Sequence, residues 1–438
     1  FDSMICMSNF TGLIGMVVLL GIAVVLSENR RRINVKLVVV GVASQVLLGW
    51  LLLSVGPVRA VFELLARVVN RVISFAGDGT RFVFGSLANS SGDAQHPWGF
   101  VFAIHVLPVI VFFAALMGVL YHLGIMQRVV AGVGWVLQRT LGITGVEALS
   151  ASANIFLGQT EAPLCVRPYI AGMTRSQIMS IMVCGFATIA GSVLAAYIGI
   201  LGGSDEESRV LFAMHLMAAS VMSAPAALVM AKIMVPELET PRDESTSMLM
   251  KQKRTTRNVV DAAAEGATDG LKLALNVAAM LIAFVALLAM LNYPLAALSR
   301  WEPIAEWRAG LGVPVLTLEY LLGTVFKPLV WTFGVPWRDC GVFGSLLGQQ
   351  LVATEFVAYL SLSLAMGEQE IGPRAAQMAT YALCGFANFP SIAIQIGGLS
   401  ALAPERRADF AALGLRAMVA GALACWMTCC VAGLFIGG

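Results

Sequence analysis

Charge is what this sequence has least of. Lys and Arg number 28 and Asp and Glu 26, so charged residues fill 12% of 438 positions, about half the roughly 25% of soluble domains. A soluble chain of this length would need two or three cores, each coated with charge, and the coating is missing. A net charge of +2 supplies no polyanion-binding surface, which excludes nucleic acid as a partner. Histidine is scarce too: His96, His105, His122 and His215 are scattered, with no H-E-x-x-H spacing. The eight cysteines form no C-x-x-C pair. Cys425, Cys429 and Cys430 are helix-spaced without a histidine nearby, so they read as packing residues.

Apolar residues are abundant instead, at 58%, with a mean hydropathy of +0.82. This is the composition of an all-α polytopic membrane protein. Uninterrupted apolar runs long enough to span cover 10–27, 34–54, 98–121, 177–201, 209–234, 271–293, 375–400 and 409–436. Phe1-Asp2-Ser3 ahead of Met4 reads as a non-native extension. The first run has no basic residue before it and Arg30-Arg31-Arg32 after it, the reverse of a signal peptide. Residues 143–170 and 338–366 are apolar but broken by Gly, Pro and polar residues. Residues 58–75 carry Arg59, Glu63, Arg67 and Arg71 every four positions, as in an interfacial amphipathic helix whose Glu63 can pair with Arg59 and Arg67.

The cations set the topology. Arg30-Arg31-Arg32 with Lys36, the linker 236–258 with Lys251, Lys253, Arg254 and Arg257, and Arg406-Arg407 all fall inside, and the acidic 202–208 outside. Eight crossings with both termini outside satisfy these loops, provided the two broken segments are re-entrant hairpins. An internal repeat supports this. Cys184-Gly185-Phe186-Ala187-Thr188 recurs as Cys384-Gly385-Phe386-Ala387-Asn388. Upstream of each copy lies a broken segment, Leu157-Gly158-Gln159-Thr160-Glu161 in one and Leu347-Gly348-Gln349 with Thr354-Glu355 in the other. Three crossings separate equivalent points, so the repeats are inverted. Inverted repeats with broken helices are the architecture of secondary transporters.

Glu161 and Glu355 sit in otherwise apolar stretches. A carboxylate at mid-membrane costs on the order of 3 kcal/mol, so each must face a polar cavity or a partner; for Glu161 the alternative is a structural pair with Arg167. Gly158 and Pro163 permit a hairpin tip there. Gln159, beside Thr160, can donate and accept at once, as the edge of a heterocyclic base requires. Glu355, Asn388 and Ser391 suit the hydroxyls of a sugar, and Phe386 offers a flat face. Asn154 and Thr188, with carbonyls of Leu157 and Ile189, would supply the neutral oxygens that a hard monovalent cation prefers; helix capping by Asn154 and packing by Thr188 is the alternative.

Residues 157–169 (LGQTEAPLCVRPY), 184–193 (CGFATIAGSV), 348–359 (GQQLVATEFVAY) and 384–394 (CGFANFPSIAI) resemble the concentrative nucleoside transporters. The resemblance runs from about residue 98 to the end. It implies eight transmembrane helices plus two re-entrant helical hairpins in inverted repeats, a homotrimer in the bacterial inner membrane, and no enzyme activity. It also implies an elevator-type mechanism, in which a transport domain slides past a scaffold. The chain then divides into N-terminal spans and interfacial helix (1–97), scaffold spans (98–121 and 271–293), and two transport repeats (143–235 and 338–438). By the same resemblance Gln159, Thr160, Glu161 and Val193 face the nucleobase of a uridine-like substrate. Glu355, Asn388 and Ser391 hold the ribose, with Phe386 against the nucleoside. Asn154, Thr188 and the carbonyls of Leu157 and Ile189 ligate sodium. Pro390 departs from the small polar residue more usual there. Some members are proton-driven and resemble GQSE instead of GQTEAPL, so sodium-coupled import is the expectation and proton coupling the alternative. A membrane-embedded hydrolase using both carboxylates is the rival of another class; no nucleophile motif accompanies them.

Overall fold

The long apolar runs form helices. The structure, a computed structural model, describes residues 2–88, 101–203, 205–241, 256–311, 313 and 315–437, with the side chains of all of these except 2–10 and 311. His96, Ser204, residues 98–100 of the expected span and 242–255 of the expected linker, with Lys251, Lys253 and Arg254, lie outside the described residues. Among the described residues there is no β-strand.

Helices α1 (Asp2–Val25), α2 (Val35–Ser54) and α3 (Gly56–Phe84) open the chain. The amphipathic helix expected at 58–75 is thus longer, and its Glu63 pairs with Arg59 at 2.9 Å. Helix α4 (Leu107–His122) and α5 (Ile125–Leu141) lead into the first hairpin, which begins with α6 (Gly145–Asn154). Then come α7 (Arg175–Ala187), α8 (Gly191–Gly202) and α9 (Glu206–Met234). Helices α10 (Val259–Arg300) and α11 (Glu302–Leu311) follow. The second half runs through α12 (Leu318–Thr332), a hairpin of α13 (Cys340–Val352) and α14 (Glu355–Gly367), then α15 (Pro373–Ala382), α16 (Phe389–Leu402) and α17 (Arg407–Phe435).

The repeat is larger than its motif. Preceding helix, hairpin, broken helix and long helix occur in that order as α5 to α9 and again as α12 to α17. The runs 177–201 and 375–400, expected uninterrupted, are each split, at 188–190 and 383–388. In the first, the Thr188 hydroxyl takes the Cys184 carbonyl at 2.8 Å and its backbone turns extended. In the second, Pro390 lacks an N–H and fits best in a first helical turn, and the chain restarts at Phe389 behind the cap Asn388. Helix α10 outruns the expected 271–293 because Asn258, accepting from the Asp261 N–H at 2.8 Å, caps polar turns that hydropathy does not register.

Among the described residues six helices or helix pairs are long and apolar enough to cross a bilayer, and Thr11–Val25 and Phe389–Leu402 are shorter apolar helices. The span 175–202 is almost wholly buried, whereas α10 is mostly exposed. Helix α10 lies against α4 at glycine contacts: a Cβ on Gly118 would stand 2.6 Å from the Ala262 carbonyl oxygen, the close approach that small residues give membrane helices. At one end of the molecule Arg406 donates to the carbonyls of Ala171 (2.9 Å) and Met173 (2.8 Å). Nearby, Glu28 receives Arg175 at 2.9 Å and pairs with Arg416. The Arg175 hydrogen bond holds the Glu28 carboxyl below its ordinary range.

Candidate functional site

The first hairpin is built by a capping box. Glu147 accepts the Thr144 N–H at 3.2 Å and the Thr144 hydroxyl caps the Glu147 N–H in return, starting α6. The helix ends at Asn154, and Gly158 and Pro163 carry the chain through an irregular tip. Two bonds tie this tip to its surroundings: Gly191 N–H donates to the Phe156 carbonyl (3.0 Å) and Ser220 Oγ to the Ile155 carbonyl (2.8 Å). The tip therefore rests on the break between α7 and α8.

Oxygens accumulate at that junction. Asn154 is fully buried; its Nδ2 donates to the Ser150 carbonyl at 2.9 Å, and its Oδ1 has no partner. The carbonyls of Leu157 and Ile189, freed where helix stops, receive no backbone hydrogen bond among the described residues. Thr188 Oγ1 spends its proton on Cys184 and keeps its lone pairs. An unpartnered buried acceptor costs free energy unless something satisfies it. A neutral set of amide, hydroxyl and carbonyl oxygens suits a hard monovalent cation. Among the described residues no cluster of His, Cys, Asp and Glu could hold a transition metal.

The second hairpin presents a carboxylate. Thr354 caps α14 by accepting the Val357 N–H, which fixes Glu355 in the first turn at 4% exposure. Its Oε1 accepts from the Tyr197 hydroxyl at 2.9 Å and its Oε2 from Asn388 Nδ2 at 2.7 Å. Asn388 Oδ1 in turn accepts the Ser391 N–H at 2.8 Å, capping α16. Glu355, Asn388 and Ser391 are therefore one connected cluster. Gln349 stays within its hairpin, accepting Ser361 (2.6 Å) and donating to Ser345 (3.0 Å). Its neighbour Gln350 donates to the freed carbonyls of Leu383 (3.2 Å) and Gly385 (3.0 Å).

The two breaks face each other. Cys425 Sγ lies 3.6 Å from the carbonyls of both Ala187 and Cys384. Gly185 leaves room for Gln159, whose Cβ would be 3.0 Å from any Cβ added there, and Gly398 does the same for Thr160. Gln395 Nε2 donates to the Met182 carbonyl at 3.0 Å, and the Oε1 atoms of Gln159 and Gln395 are buried without partners. Val193 is buried on α8 and Phe386 half-buried in the second break.

Glu161 is placed differently. Its Oε2 accepts the Gly158 N–H at 3.3 Å, Arg167 is exposed, and no ion pair joins the two among the described residues. Glu161 lines a cavity of about 360 Å³ between the first hairpin and helices α4 and α10, with Tyr121, His122, Gln127 and Glu265. Of the residues expected at the site, this cavity takes in only Leu157 and Glu161; Glu355, Asn388 and Ser391 are buried apart from it. Sequence reasoning missed Tyr197, Gln350 and Gln395. Only Gln350 left a signal, the doubling of glutamine where the first repeat has one.

Residues 215–433 match the model of the Na+ dependent nucleoside transporter C-terminus, 14–87 that of its N-terminus, and 103–204 that of a nucleoside recognition gate. The nucleoside permease NupC of Helicobacter pylori is 40% identical over 434 residues, covering 98% of each chain. The solved structure of CNTnw in an inward-facing substrate-bound state superposes with a TM-score of 0.87 at 41% identity, covering 98% of both chains. A substituted CNTnw in an outward-facing state superposes equally well, again at 0.87 and 41%.

Proposed function

The chain belongs to the concentrative nucleoside transporter family, and from that premise we propose that it imports nucleosides in symport with sodium. It is a membrane transporter and not an enzyme, as its relatives are. The observation that carries sodium coupling is the buried, unpartnered Oδ1 of Asn154, on a hairpin tip tied through Phe156 and Gly191 to the break that carries Thr188 and the carbonyl of Ile189. Sodium bound among these oxygens would fix the hairpin tip against the break, and the tip carries Gln159, Thr160 and Glu161.

In this reading Gln159, Thr160 and Glu161 receive the base of a uridine-like nucleoside against Val193, with Phe386 on its face. Glu355, Asn388 and Ser391 receive the ribose. Each oxygen of Glu355 already accepts one hydrogen bond, but a carboxylate has about four acceptor positions, so sugar hydroxyls can be added to the protein donors. The repeats 143–235 and 338–438 would form the moving transport domain, and 98–121 and 271–293 the scaffold of a homotrimer. Inner-membrane location with both termini outside belongs to the same proposal. Because binding is linked, nucleoside must tighten sodium binding by the factor with which sodium tightens nucleoside binding. Glu355→Ala is expected to abolish uptake while the protein stays folded; uptake at the wild-type rate would remove Glu355 from the ribose site.

A further inference from the structure

Tyr197 links parts of the molecule that the sequence keeps far apart. It is fully buried on α8, less than two turns beyond Gly191, where the helix restarts after the Thr188–Ile189 break. Its ring stacks on Tyr359 at 4.3 Å between centroids and meets Phe356 edge-on at 4.7 Å, both on α14. Its hydroxyl donates to Glu355 Oε1, and Asn388 holds Oε2. Glu355 thus takes one donor from each repeat. The donor from the first repeat rides on the helix whose start adjoins the oxygen cluster of Asn154, Leu157, Thr188 and Ile189.

We propose that Tyr197 is a positioning residue that transmits sodium occupancy at the first break to the orientation of Glu355. The role rests on the sodium-symport reading above. A twelve-residue helix held rigid by its own hydrogen bonds moves as a body. Fixing its start fixes the phenol, and the phenol fixes the carboxylate that receives the ribose. With the start unfixed, Glu355 keeps only the Asn388 donor in a settled place. No packing need change for this, because Phe at 197 would keep both ring contacts and lose only the hydroxyl.

The test is uridine affinity of the purified full-length protein in sodium and in choline, with the ratio of the two dissociation constants as the readout. Couplings of this kind are typically about 5–150-fold. Tyr197→Phe is expected to shrink the ratio about fivefold or more and to leave the sodium-free affinity nearly as in wild type. Tyr359→Phe removes a phenol from the same stack, one that donates to the Thr380 carbonyl at 2.9 Å, and should leave the ratio unchanged. If Tyr197→Phe fails to fold, 3-fluorotyrosine at 197, a stronger donor of nearly the same size, must raise the ratio. An unchanged ratio in Tyr197→Phe or the fluorotyrosine protein, against a sodium-sensitive wild type, overturns the role of Tyr197 alone. A wild type whose uridine affinity ignores sodium refutes the symport reading as well.

Discussion

Lys232 is buried near the end of α9 with its Nζ 2.6 Å from Glu147 Oε1 and 3.0 Å from Ser176 Oγ; the side chains of Lys232 and Glu147 are 8% and 1% exposed. The pair fastens the root of the first hairpin to α7 and α9, and the same Glu147 caps α6 through Thr144. Removing one partner strands the other charge, at a cost of about 3–5 kcal/mol in buried pairs. Lys232→Met should therefore lower the thermal midpoint sharply, and adding Glu147→Gln should restore part of the loss; equal midpoints for wild type and Lys232→Met would refute it. Single residues were unevenly legible in the sequence. Glu161 and Glu355 stood out because a carboxylate inside an apolar run needs a reason. Tyr197 did not, since a tyrosine in a membrane helix is unremarkable until its hydroxyl is seen on Glu355. Nor did the sequence separate the two carboxylates, one lining the cavity beside α4 and α10 and the other buried between the repeats.

Among the elements, the broken helices 177–201 and 375–400 show where hydropathy reading fails and why. The breaks, Thr188-Ile189-Ala190 and Leu383-Cys384-Gly385-Phe386-Ala387-Asn388, are apolar on average like the helices they interrupt. A window of about 19 residues averages across them. The repeated motif marked the right residues, and its glycine has a steric purpose. A Cβ on Gly385 would stand 2.6 Å from the Phe186 carbonyl oxygen and press on Cys425 Sγ, so the two breaks nest only because this position is bare. Gly385→Ala should cost about 1–3 kcal/mol, the usual penalty of overpacking, read as a lower unfolding temperature with transport reduced in the folded fraction. An unaltered midpoint would mean the breaks are not tightly packed. The preceding helices α5 and α12 escaped the repeat search because they share fold position but no sequence motif.

For the molecule as a whole, scarce charge identified a membrane protein, and the placement of the remaining charge predicted the order of spans. Burial adds a division the sequence could not supply: α7 to α9 and α17 are enclosed, while few residues of α4 and α10, which pack against one another, are fully buried. The moving body and fixed scaffold proposed above would need such a division; CNTnw itself has been solved in inward-facing and outward-facing states. The central claim, that a sodium gradient drives nucleosides through this chain, is tested most directly in proteoliposomes with sodium and proton gradients imposed separately. An inward sodium gradient at equal pH is predicted to accumulate intact radiolabelled uridine above its outside concentration, and a proton gradient without sodium is predicted not to. Accumulation that follows pH and ignores sodium would contradict the account.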